Sequence, residues 1–223
     1  MPPASVTLGI VCGLESEARA LGDLRYDQRN MIGISGANPE QAEAQAVEMC
    51  NQRVAGLVSW GISAGLSPTM KTGDICIATR VSVETGEVVE SKAPDAGRLL
   101  FGSNQIVFDA SVKTALHGQT GAVALDMETH RVARVAAAHD IPWIAIRAIS
   151  DSADIALPRI VADVVDASGR PRVWLVLSRM LRRPHELPAL LRAKRDSDRA
   201  HEALGSSGRQ RLGEFLQQMS KAP

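Results

Sequence analysis

Residues 141–149 read Ile-Pro-Trp-Ile-Ala-Ile-Arg-Ala-Ile. A run this apolar and this short predicts a strand buried on both faces, which needs helices above and below it. The rest of the chain supplies them. Val6 to Cys12 is an apolar run ending at Gly13, and Glu15 to Leu21 follows as a helix. Met31 to Ile34 predicts a second strand, and Gly36-Ala37-Asn38-Pro39 leads into an Ala-rich helix over 40–52 with Pro39 in its first turn. Leu57 to Trp60, Ile75 to Val83 and Glu87 to Val89 predict further strands, the last after a Thr85-Gly86 turn. A helix starting near Asp126 is expected through Val132, Val135 and Ala136 to a turn at Asp140. Residues 91–104 read as a polar connection and Ile106-Val107 as a short extended piece. Strands alternating with helices imply a single-domain, three-layer α/β/α fold with a mainly parallel mixed central sheet. The expected domain covers 1–200, including a basic amphipathic segment over 171–200. A polar, glycine-containing tail over 201–223 is expected to be mobile in part.

The chain has 223 residues, 45% of them hydrophobic, enough for one large core. Formal charge is zero but unevenly placed: residues 170–199 hold nine Lys/Arg against three Asp/Glu, and residues 1–169 hold 13 against 20. Cys12, Cys50 and Cys76 lack CxxC spacing, which fits a reduced, cytoplasmic setting. No signal-peptide pattern opens the chain, and no stretch reaches the roughly 18 apolar residues that span a bilayer. His117, His130 and His139 lack the spacing and Cys partners of a zinc site, so no metal is expected. GxSxG and Walker patterns are absent, and few aromatics with a neutral pI argue against nucleic acid.

Two acidic segments carry the chemistry. Asp126-Met127-Glu128 and Ser150-Asp151 are separated by one helix and one strand, and ligands of α/β sheets gather beyond the carboxyl ends of such strands. Gly61-Ile62-Ser63-Ala64-Gly65-Leu66 reads as a loop of small residues whose backbone approaches a ligand, or as a tight strand-to-helix turn. Trp60 and Trp143 read as core.

These segments, with Gly9 through Glu17, Lys71-Thr72-Gly73-Asp74-Ile75, Leu125 through Glu128 and Arg147 through Asp151, resemble the purine nucleoside phosphorylase and methylthioadenosine/adenosylhomocysteine nucleosidase superfamily. Within it, Leu177 to Leu191 is similar to the hopanoid-associated phosphorylases, thought to remove adenine from adenosylhopane. The resemblance implies cleavage of the N-ribosidic bond of a 5′-substituted adenine nucleoside, without a cofactor.

Breaking that bond needs an acid near N7 of the base and a carboxylate at the ribose. Asp151 is the candidate acid, since a place after a buried strand favours its protonated form. Ser150 either orients it or satisfies the strand end. Glu128 is the candidate for the ribose hydroxyls, with Met127 packing on the sugar. Glu17 sits where the nucleosidases keep a water-activating carboxylate, and equally fits ordinary first-turn surface chemistry. Phosphate is the nucleophile that the hopanoid resemblance implies, and inorganic phosphate would then be a co-substrate held by the Gly61, Ser63 and Ala64 segment. The chain departs from the phosphorylase pattern at Ser59, in place of an Arg, and at Ile62, in place of a Ser. Ser63, Arg19 or Arg80 are alternative anion contacts. Ile106 takes the place of a stacking aromatic, and Val107 offers its backbone to the adenine edge.

The basic 171–200 segment interleaves Trp174, Leu175, Leu177, Met180 and Leu181 with arginines, which describes either a packed terminal helix or a helix on an anionic membrane surface. Expected partners are a small nucleoside, lipid-linked if the resemblance holds, and a second copy of the chain in a homo-oligomer. A non-catalytic nucleoside- or lipid-binding protein on the same fold is the competing reading.

Overall fold

Side-chain alternation along β1 (Leu8–Cys12) sorts residues into two cores. Leu8, Ile10 and Cys12 face one core, and Val11 faces the other. A computed structural model describes residues 7–93, 97–158 and 186–221 of the chain. The first core lies under α1 (Glu15–Ala20), α5 (Leu187–Ala203) and α6 (Arg209–Lys221), and the second under α2 (Pro39–Asn51) and α4 (Thr129–Ala138). Helices therefore cover both faces of a central sheet, as the apolar strands require.

Among the described residues the sheet has eight strands: β1, β2 (Asn30–Ile34), β3 (Gly56–Gly65), β4 (Ile75–Ser82), β5 (Val88–Glu90), β6 (Arg98–Gly102), β7 (Ala124–Asp126) and β8 (Trp143–Asp151). It is mixed and mainly parallel. β1 pairs with β2 and β3, β3 with β8, and β6 with β4 and β7, all parallel, whereas β4 runs antiparallel to β5 and β8. β7 also pairs antiparallel with the far end of β3, at Ala64 and Gly65. The sheet thus curls back on itself there.

Several elements differ from the sequence reading, each for a visible reason. The helix expected from Asp126 begins at Thr129, because Asp126 ends β7 and its carboxylate accepts the Thr129 N–H (3.1 Å). The small residues 61–65 are strand, the continuation of β3, and neither a loop nor a turn into a helix. The connection at 91–104 contains β6, held between β4 and β7. Helix α3 (Ala110–Thr120) was not foreseen; most of it is exposed, and its one buried residue is a lysine. Asp140 does make the turn after α4, with φ of 60°, a left-handed conformation that Asp tolerates.

Residues 201–221 are no loose tail. Leu204, Leu212 and Phe215 are buried with Ile10, Trp60 and Ile146. A π-helical turn at Leu204–Gly208 brings Gly208 against Trp60, where an added Cβ would lie 3.2 Å from the indole. The sequence pattern hid this because α6 is polar overall and buries only a narrow stripe. Of the basic segment, residues 171–185 lie outside the described residues; Leu187 and Leu191 of α5 are exposed. Among the described residues no helix is long and apolar enough to cross a membrane. Phe215→Ala is expected to lower unfolding free energy by about 3 kcal/mol, read by urea denaturation, the scale of removing a core phenylalanine. An unchanged midpoint would mean that α6 does not belong to the core.

Candidate active site

The ends of β1, β3, β7 and β8 converge on one cavity of about 210 Å³. Glu17, Ser63, Ala64, Ile106, Val107, Met127, Glu128, Ser150 and Asp151 all line it. Ile106 is partly exposed, and no aromatic side chain is among the lining residues. Gly61 lies just behind the lining. A Cβ there would come within 2.5 Å of both Glu17 Oε1 and Arg147 Nη1, so the small residue lets a carboxylate and a guanidinium pass close to the strand. Gly13 does the same between Glu17 and Glu128, whose nearest oxygens would lie 3.1 and 3.0 Å from its Cβ.

Asp151 and Ser150 reach the cavity through an irregularity in β8. Ser63 of β3 is opposite Ile149, but Ala64 is opposite Asp151, so Ser150 is an extra residue on its strand. The Ser150 hydroxyl lies 2.6 Å from Asp151 Oδ1, to which it donates, and 3.1 Å from the Ser63 carbonyl. Asp151 is 5% exposed, and its other oxygen is paired with Lys113 of α3. The sequence reading placed Asp151 in an apolar environment; it is instead ion-paired.

Two of the lining carboxylates, Asp126 and Glu128, are held by Arg147, which in the sequence opens the Arg147-to-Asp151 motif. Its guanidinium is fully buried. Nε lies 2.7 Å from Asp126 Oδ2, and Nη2 lies 2.6 Å from the Ser59 hydroxyl and 3.3 Å from Glu128 Oε2. Nε approaches Asp126 off the line of a hydrogen bond, so the contact is an ion pair alone. Ser59, read as a lost anion contact, accepts from this arginine. Arg19 is exposed and paired with Glu15, and Arg80 is exposed; neither lines the cavity.

Glu17 is 2% exposed, which excludes the surface reading. Its carboxylate accepts the backbone N–H groups of Leu14 and Ile62, each at 2.8 Å. Position 62 therefore contributes through its backbone, which any non-proline side chain allows. Trp60, buried as expected, also donates its indole N–H to the Glu17 carbonyl (2.9 Å) and so fixes α1. Burial raises the pKa of Glu17, opposed by Arg147 and by the two backbone donors. Burial raises that of Glu128 to about 7, again opposed by Arg147 and reinforced by Asp126 and Glu17. The Glu128 carboxyl can therefore exchange a proton near neutrality, and the Glu17 carboxyl is shifted in the same direction.

The curled mixed sheet recurs in known structures. A futalosine hydrolase of Helicobacter pylori superposes with a TM-score of 0.66 at 15% identity, covering 96% of this chain and 97% of that one. A 5′-methylthioadenosine/S-adenosylhomocysteine nucleosidase of Neisseria meningitidis, in complex with methylthio-immucillin-A, gives 0.67 at 13% identity, with 96% and 98% covered. The fold is the nucleosidase fold. Residues 96–170 match the family model described as Phosphorylase superfamily. A curated 5′-methylthioadenosine/S-adenosylhomocysteine nucleosidase of Mycobacterium bovis is 36% identical over 78 residues, 33% of this chain. That match spans 30% of the relative's length.

On this nucleosidase fold, the raised pKa of Glu128 has a sign that can be tested. The native state holds that proton more tightly than the unfolded chain, so its contribution to stability is complete below about pH 4.5 and is lost as pH rises through about 7. Glu128→Gln removes this dependence. Its urea midpoint relative to the unsubstituted protein should rise steadily from pH 4.5 to 8, and a difference independent of pH would refute the assignment.

Proposed function

We propose that this chain hydrolyses the N-ribosidic bond of a 5′-substituted adenine nucleoside. One observation carries the reading: a single cavity is lined by Asp151 and by the buried carboxyl groups of Glu17 and Glu128. The bond between C1′ and the base breaks with its electron pair passing into the purine, and leaves a cationic sugar. Asp151 delivers a proton to the base. Glu128 accepts hydrogen bonds from the ribose hydroxyls, and its charge favours the developing cation. Glu17, with a raised pKa, takes the proton of the attacking water.

Water is favoured over phosphate by the state of Arg147. An anionic nucleophile needs an uncommitted cation or a nest of amides. Arg147 is already engaged by Asp126, Glu128 and Ser59, and the Ile62 amide by Glu17. The names of the matched relatives, nucleosidases for 5′-methylthioadenosine and S-adenosylhomocysteine, support the same substrate class. Phosphorolysis of adenosylhopane is the second reading, supported by the resemblance of Leu177 to Leu191.

Adenine release from methylthioadenosine, adenosylhomocysteine and adenosylhopane, with and without phosphate, tests both. The expected result is release without phosphate, reduced about 10²- to 10⁴-fold in kcat by Asp151→Asn and by Glu17→Gln, as for lost acid–base groups. Release only with phosphate would favour the second reading. No release from any substrate would favour a non-catalytic binding protein. A membrane approach through 171–200 belongs with the lipid substrate and draws on the exposed Leu187 and Leu191. Flotation with anionic but not neutral liposomes is its expected signature, and equal negligible binding would end it.

A further inference from the structure

Helix α3 buries one residue completely, and that residue is Lys113. A lysine ammonium is costly to bury unless it is paired and hydrogen-bonded. Here it is both. It contacts Asp151 Oδ2, donates to the Ile155 carbonyl at 2.7 Å, and lies 3.4 Å from the Ser152 carbonyl. One side chain thus holds the carboxylate and the turn that follows it, while Ser150 holds the other carboxylate oxygen. A purely structural staple for that turn would not need to touch the group that faces the cavity.

We propose that Lys113 is a positioning residue for the purine side of the site: the group presented to the departing base is a Lys113–Asp151 ion pair, with the lysine as the origin of the proton that the base receives. The inference rests on the nucleosidase reading above. As the C1′–N9 bond breaks and its electron pair enters the ring, the base takes one proton through Asp151. The Lys113 ammonium replaces that proton, becomes a neutral amine, and regains one from solvent after adenine leaves. The proton lost by the attacking water departs through Glu17, so the cycle balances. Other charged groups stand near Asp151. Glu17, Glu128 and Asp126 line the same cavity, and Arg192 and Asp196 of α5 line a neighbouring cavity of about 230 Å³ that Asp151 also borders.

Two variants and a pH profile of kcat test this, with adenine binding by calorimetry as the check on folding and site integrity. Lys113→Met leaves Asp151 as an unpaired buried carboxyl, which must carry its own proton to act. Its activity should persist at low pH and fall on an alkaline limb displaced downward by about one pH unit or more. Lys113→Arg keeps the charge but cannot release a proton, so kcat should fall at least about tenfold at every pH while adenine still binds. A Lys113→Met profile with its limb in the wild-type position overturns the proposal even if the bulkier arginine fails to fold. Wild-type kcat in Lys113→Arg overturns it as well. Failure of the underlying reading looks different: wild-type protein that releases no adenine, or Asp151→Asn with undiminished turnover, removes the site itself and this inference with it.

Discussion

Everything at the cavity is arranged around one buried guanidinium. Arg147 sits in the middle of β8, between Ile146 and Ala148, with carboxylates supplied by Asp126 and Glu128 and a hydroxyl by Ser59. An ion of this kind costs several kcal/mol to desolvate, and its partners offset that cost only if each is held in place. The curl of the sheet holds them. β7 hydrogen-bonds both β6 and the end of β3, and so brings Asp126 over the same face of β8 that Arg147 occupies. Gly13 and Gly61 then remove the two methyl groups that would keep Glu17 and Glu128 apart from it.

Two acidic regions of opposite character result. At Arg147, carboxylates outnumber cations, so burial wins and the pKa of Glu128 and Glu17 moves upward. At Asp151 a single carboxylate meets a single ammonium and a hydroxyl. The cavity is therefore lined both by carboxyl groups whose pKa burial has raised and by a carboxylate held by a cation, which is what the proposed acid–base chemistry draws on.

Most of the sheet was legible in the sequence, because β1, β2, β4 and β8 are apolar runs bounded by turn residues. β6 and β7 were not: each is short, and Arg98 and Asp126 at their ends gave them a polar look. Helix α3 lacks an apolar stripe, and α6 hides Leu212 and Phe215 among polar neighbours. The resemblance singles out Glu17, Glu128, Met127, Ser150 and Asp151, and all five line the cavity. Lys113 carried no signal, since nothing in α3 marks a buried position. Arg147 did carry one: a lone charge inside a strand apolar on both faces must have buried partners.

The contact between Gly208 and Trp60 has a consequence for how the site comes into being. Trp60 anchors the carbonyl of Glu17, and the turn leading into α6 closes over the same indole. A chain emerging from the ribosome places Glu17, Glu128 and Asp151 long before residues 204–215 exist to seat that tryptophan. The strut behind Glu17 is therefore completed only after residues 204–215 have been made, well after the side chains that line the cavity.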